Sequence, residues 1–218
     1  MIGPLEDDLG RVKALENWTD NIPRIAVLGA GHRPLNNFNA CQFKGLEGLK
    51  HFVPVNVDIR DYSSTDIVMD LSKKDWSKPM GKASLTNSDK RGWGLRDNEF
   101  DIVIAEHVAE HVPDRLAFIA ECLRITKPNG LLIIEVPNWK HDSAHNTLEH
   151  YTTWGRAIFN DSYINDWGLK WKVEKVVYRV TKPFSWESFY VPWEFLGRQI
   201  DRFTHKISGL RFFIRVKK

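Results

Sequence analysis

Arg24-Ile-Ala-Val-Leu-Gly-Ala-Gly-His-Arg-Pro34 is the stretch on which the reading of this chain turns. Its apolar run, Ile25 to Leu28, shows no polar alternation, which predicts a strand covered on both faces of a parallel sheet. The run breaks into Gly29-Ala30-Gly31, where the missing side chains let backbone approach a ligand closely. A loop of this kind at the carboxyl end of a first strand predicts a nucleotide-like ligand.

The residues after the loop narrow the ligand. A dinucleotide site in the Gly-x-Gly-x-x-Gly pattern needs a third glycine at position 34, and the chain has Pro34 there. A triphosphate cradle needs Gly-Lys-Ser/Thr, and Gly31 is followed instead by His32-Arg33. What fits is a ligand with a ribose and an adenine but no phosphates. Carboxylates at the next strand ends suit it, since they accept hydrogen bonds from ribose hydroxyls. Asp58 closes a β-rich run, 52–57, and Asp70 closes a short one, 67–69.

Outward from this core, 4–18 carries apolar residues at helical spacing, which predicts a leading helix within 1–20. Residues 35–50 are too rich in glycine for a regular helix. The segment 72–99 has almost no apolar periodicity and holds seven Lys/Arg against four Asp/Glu, so it reads as a long loop. Strands follow at 100–105, 131–136, 172–180 and 210–216, with helices over 113–126, much of 147–166, and 192–206. An aromatic insertion, 181–209, precedes the last strand. The expectation is one domain over 1–218: a doubly wound, Rossmann-like, mostly parallel seven-stranded α/β sheet with helices on both faces and an antiparallel last strand.

At 218 residues and 42% hydrophobic, the chain can bury one such core. No apolar run is long enough to span a membrane, and 1–20 lacks the apolar centre of a signal peptide, so a soluble cytoplasmic protein is expected. Cys41 and Cys122 form no paired-cysteine spacing, which argues against a disulfide framework or a zinc ribbon. The net charge is +3, yet 179–218 alone holds nine Lys/Arg against three Asp/Glu. Those charges mix with acids and fit no recognised RNA-binding module, which disfavours nucleic acid as partner. Oligomeric state is not legible.

Taken together, Val27-Leu-Gly-Ala-Gly31, Val57-Asp-Ile59, Asp66-Ile-Val-Met-Asp-Leu71, Asp97-Asn-Glu-Phe-Asp-Ile-Val103, Glu106-His-Val-Ala-Glu-His-Val112 and Arg124-Ile-Thr-Lys-Pro-Asn-Gly130 resemble class I S-adenosylmethionine-dependent methyltransferases. The closest likeness is to the type-11 group, with its Phe-Asp strand, Val-x-Glu-His turn and Arg-x-x-Lys-Pro-x-Gly hairpin. It runs from Ile25 to Pro137, departing at the long loop 72–99 and at His32-Arg33-Pro34. The resemblance implies S-adenosylmethionine as cofactor. Gly29 and Gly31 would lie against its methionine part, Asp58 would hold the ribose, Asp70 would sit near the adenine and Glu106 would line the pocket, with Ala30, Ile59 and Leu71 as further cofactor-binding candidates.

Methyl transfer to a hydroxyl needs a proton acceptor, most often His, Asp or Glu. His107, His111, His141, His145 and His150 fall at the carboxyl ends of the fourth and fifth strands and are the candidate bases. His107-Val-Ala-Glu-His111 also matches a zinc-peptidase pattern, but that pattern needs a helix from its first residue, and His107 directly ends a strand. No metal ligands are assigned. Trp139, Trp154, Trp167, Trp171, Trp186 and Trp193 could stack on sugar faces, which makes a glycan hydroxyl the leading acceptor. A small metabolite, RNA, or an inactive cofactor-binding interaction domain are the alternatives.

Overall fold

The computed structural model describes residues 22–31, 49, 51–78, 94–159, 169–181, 188–191, 194–203 and 207–218. The sequence-predicted leading helix and most of 35–50 lie outside them. β1 (Arg24–Leu28), β2 (Val53–Asp58), β3 (Ile67–Val68), β4 (Phe100–Glu106) and β5 (Thr126–Pro137) form the parallel half of an eight-stranded sheet. β6 (Trp171–Thr181), β7 (Ser188–Val191) and β8 (Ile207–Val216) complete it, in the order β3-β2-β1-β4-β5-β8-β6-β7. β8 inserts antiparallel between β5 and β6. The expected seven strands are therefore eight. The extra one, β7, lies inside the aromatic insertion 181–209 and pairs antiparallel with β6 from Tyr178↔Val191 to Thr181↔Ser188.

The central strands are apolar throughout because both faces of the sheet are buried. Ala26, Leu28, Val103, Ala105, Leu132 and Ile134 enter one core cluster. Their neighbours Ile25, Val27, Ile102, Ile104 and Ile133 enter a second. α1 (Arg115–Ile125) covers the first face through Phe118, Ile119, Cys122 and Leu123. Asp114 caps it, accepting from the Ala117 amide at 3.0 Å. The helix ends where Thr126 turns extended and its hydroxyl donates to Cys122 O at 2.6 Å. Pro128 then forbids continuation. α2 (Glu194–Phe203) lies on β6 where Gly197 leaves room for the Tyr178 ring.

Two segments differ from their sequence reading. The ends of the 72–99 loop are firmly anchored: Trp76 and Leu95 are fully buried, and the Leu95 amide donates to Trp76 O at 2.7 Å. Trp76 packs edge-on against Phe118, and its amide donates to Glu121 Oε2 at 2.8 Å. The expected helix over 147–166 is absent from its described part, 147–159. There the Tyr151 and Thr152 amides both donate to Glu110 O, and only a 3-10 turn, Arg156–Phe159, forms. Backbone donors tied to a distant carbonyl cannot build a helical ladder.

Candidate active site

β1 delivers Gly29 and Gly31 into left-handed backbone, with φ of 66° and 55°. A Cβ at Gly29 would strike Val108 Cγ2 at 2.7 Å, so the glycine loop and the turn after β4 are in contact. Among the described residues, a Cβ at Gly31 would meet nothing closer than Gly29 O at 4.0 Å. Asp58, at the end of β2 and buried, accepts the Gly31 amide at 2.8 Å and the Arg60 amide at 2.9 Å. Each oxygen holds one N–H, and a carboxylate offers about four acceptor sites. Ile59 beside it is 59% exposed, whereas Ala30 and Leu71 are buried. Asp70 accepts the Ser72 amide and hydroxyl at 3.0 and 2.6 Å. Burial raises its carboxyl, but those bonds and Lys73 hold it below the usual value.

β4 ends in Glu106, and His107 follows in left-handed backbone with φ 53°. The His107 ring lies between carboxylates, Nδ1 3.4 Å from Glu110 and Nε2 3.4 Å from Glu135. Burial alone would lower its pKa, yet the bonds to Glu110 and Glu135 lift it to about 9. Arg179 Nη1 also lies 3.2 Å from His107 Nε2, so the ring is held by two carboxylates and a guanidinium. Glu135 is 2% exposed and lies on β5 directly opposite Arg211 of β8, whose Nε donates to it at 2.5 Å. Burial would raise Glu135, but His107 and Arg211 hold it at about 2. Arg211 Nη2 also lies 2.9 Å from Glu106 Oε1, and the Tyr190 hydroxyl donates to Glu135 at 3.2 Å. Arg179 Nη1, 3.6 Å from Glu135, completes a charged network across five strands. Burial, then the Glu135 charge, pushes the Tyr190 hydroxyl up to about 12.

Sequence reasoning missed Glu135, Arg179, Tyr190 and Arg211. The available signal was a lone charge inside an apolar run, in Leu131-Leu-Ile-Ile-Glu135 and Leu210-Arg-Phe-Phe-Ile214.

The other candidate histidines divide into two groups. His111 and His150 stack edge-on with ring centroids 4.8 Å apart. His111 Nδ1 is 3.0 Å from Glu149 O, and His150 Nδ1 is 3.3 Å from Ala144 O, which leaves each Nε2 with a lone pair. His141, by contrast, caps a local turn, accepting the Ser143 amide at 3.2 Å. His145 Nε2 lies 2.6 Å from Trp139 O. Both are locally engaged. Trp154 and Trp171 are core residues and Trp139 is half-exposed, whereas Trp167, Trp186 and Trp193 lie outside the described residues.

Residues 55–134 match a family described as a methyltransferase domain. A crystal structure of a SAM-dependent methyltransferase from Archaeoglobus fulgidus has the same fold, with TM-score 0.55 and 16% identity over 95% of this chain and 92% of that one. The fold is the Rossmann-like one of these enzymes, here with eight strands. Shorter stretches resemble curated proteins. Over 43 residues the chain is 54% identical to a ubiquinone biosynthesis O-methyltransferase of Rhodopseudomonas palustris (strain BisB18), covering 19% of this chain and 17% of that protein. Over 79 residues it is 30% identical to the chloroplastic tocopherol O-methyltransferase of Arabidopsis thaliana, covering 36% and 22%. The matches thus span less than a quarter of either curated relative. The domain match and the fold support S-adenosylmethionine as cofactor. The Asp58 carboxylate, which accepts the Gly31 amide, and the exposed Ile59 beside it suit the adenosine part of that cofactor.

Proposed function

We propose that this protein methylates a hydroxyl of a small-molecule acceptor from S-adenosylmethionine. One observation carries the reading: Val108 fills the space that Gly29 leaves empty, so the cofactor cradle and the Glu106–Val112 turn form one continuous site. In this reading Gly29, Ala30 and Gly31 lie along the methionine part, Asp58 takes the ribose hydroxyls, Ile59 covers the adenine, and Asp70 with Leu71 bounds the adenine end. Glu106 lines the pocket.

S-adenosylmethionine supplies an electrophilic methyl group, and transfer is an in-line displacement at that carbon. The chain's task is to align the acceptor and exclude water. Acceptor deprotonation falls to the Glu110, His111 and His150 cluster, whose Nε2 lone pairs face away from their carbonyl partners. His107, between Glu110, Glu135 and Arg179, fixes the turn. His141 and His145 take no proton. The names of the two curated relatives, both O-methyltransferases, support an oxygen acceptor. A glycan retains one supporting feature, half-exposed Trp139 with Lys140 Nζ 5.9 Å from its ring centroid.

A screen with methyl-labelled S-adenosylmethionine against phenols, catechols, simple polyols, glycans and RNA tests the acceptor. Label should appear in a small hydroxylated compound and fall by about a hundredfold or more in His111→Ala or His150→Ala. Methylation of RNA alone, or a cofactor-binding protein that labels nothing, overturns it.

A further inference from the structure

We infer that Glu110, His111 and His150 form a binding site for one divalent transition-metal ion. This rests on and deepens the proposed function: with an ion bound, the Nε2 lone pairs serve as ligands and the cluster acidifies the acceptor hydroxyl instead of taking its proton itself, and metal binding can be tested without the reaction. One carboxylate oxygen of Glu110 and one ring nitrogen from each histidine all lie within 4.8 Å of one another. Ligand atoms about 2.0–2.2 Å from a zinc-sized ion sit roughly 3–3.5 Å apart, so side-chain rotations of about an ångström close the set.

Two further features point to a cation. Glu110 is 2% exposed, and its Oε2 is buried without a hydrogen-bond partner among the described residues. A buried carboxylate oxygen left bare is costly, and a metal ion removes that cost. The neighbouring His107 approaches the other oxygen, Oε1, and leaves Oε2 available. The histidines, in turn, present the arrangement by which proteins prepare imidazole ligands: each Nδ1 is tied to a backbone carbonyl, of Glu149 or Ala144, which orients Nε2 for metal. The backbone secures the set as well, since the Tyr151 and Thr152 amides donate to Glu110 O at 2.9 and 3.1 Å and bind the His150 segment to the turn that carries Glu110 and His111.

Two imidazoles and one carboxylate suit Zn²⁺, Fe²⁺, Mn²⁺ or Co²⁺ better than Mg²⁺, and three protein ligands leave positions open. The sequence pattern His107-Val-Ala-Glu-His111 thus contributes two ligands, Glu110 and His111. The third comes from His150, while His107 stays outside the set, against Glu110 Oε1. An acceptor hydroxyl in an open position becomes more acidic. Its proton leaves to solvent, its oxygen forms the new bond to the methyl carbon, and the methyl–sulfur bond breaks with its electron pair passing to sulfur.

The test is titration of chelator-treated whole protein with Co²⁺, read by its visible ligand-field absorption, alongside calorimetry with S-adenosylmethionine. One equivalent should bind per chain. Affinity should fall at least about tenfold in His150→Gln and Glu110→Gln, and remain at the wild-type level in His141→Ala and His145→Ala. Retained S-adenosylmethionine binding reports that a variant is folded, and thermal stabilisation of wild-type protein by Co²⁺ or Zn²⁺ gives a readout that needs no variant. Absence of saturable binding by the wild-type protein overturns the site. So does Co²⁺ binding that survives both ligand substitutions. Metal binding without any methylated product upholds the site and removes the proposed reaction instead.

Discussion

Gly29 and Gly31 show how differently two glycines in one loop are constrained. Both have left-handed backbone, which costs an L-residue roughly 1–2 kcal/mol. At Gly29 an added methyl also meets Val108 at 2.7 Å, whereas at Gly31 it meets nothing within 4.0 Å but Gly29 O among the described residues. Gly29→Ala should therefore lower stability by about 2–4 kcal/mol in urea denaturation. Gly31→Ala should cost no more than the backbone term, while weakening S-adenosylmethionine binding in calorimetry. Equal stability losses in the two variants would contradict the contact with Val108. Glu135 gives a second prediction of this kind. Its folded pKa of about 2 lies below the ordinary 4.5, so it stabilises the fold above the ordinary value and loses that contribution as pH falls toward 2. The denaturation midpoint of wild-type protein should drop between pH 5 and about 3 by more than that of Glu135→Gln. Parallel acid limbs would show that Glu135 is not held ionised by His107 and Arg211.

At the scale of elements, the reading from sequence succeeded where apolar patterning and turn chemistry agree. Ile25–Leu28 breaking at Gly29, Phe100–Ala105 ending at Glu106, and Ile125 stopping before Pro128 each had one consistent interpretation. It failed where long-range pairing decides the outcome. Ser188–Val191 becomes a strand because β6 offers it an edge, and 147–159 stays irregular because Glu110 O captures its amides. β7 pairs with its neighbour β6 and was missed because the segment read only as an aromatic insertion, whereas Glu110 is far in sequence from the amides it captures. The charged network was hidden for the same reason, since Glu135 and Arg211 meet only when β8 inserts beside β5. The 72–99 loop conceals an anchor: Trp76 and Leu95 carry no periodicity, yet both are fully buried. Trp76→Ala should cost about 3–5 kcal/mol in urea denaturation. A loss below about 1 kcal/mol would mean that the loop base contributes little to the core.

At the scale of the molecule, the candidate site lies at the carboxyl ends of β1 to β5, and β8 supplies the buried Arg211 and β6 the half-buried Arg179 that balance its acids. Among the described residues no helix is long and apolar enough to cross a membrane. The left-handed turn at Gly29 and Gly31 and the strand-end places of Asp58 and Asp70 were legible, because strand-end motifs report local backbone. The contact of His111 with His150 was not, because they become neighbours only through the fold. The central claim is that the glycine loop over Asp58 binds S-adenosylmethionine, and calorimetric titration of the wild-type protein and Asp58→Asn measures it directly. The account predicts one saturable site per wild-type chain and an affinity at least about tenfold lower in the folded variant. Absence of binding at millimolar ligand, or equal affinity in Asp58→Asn, would contradict it.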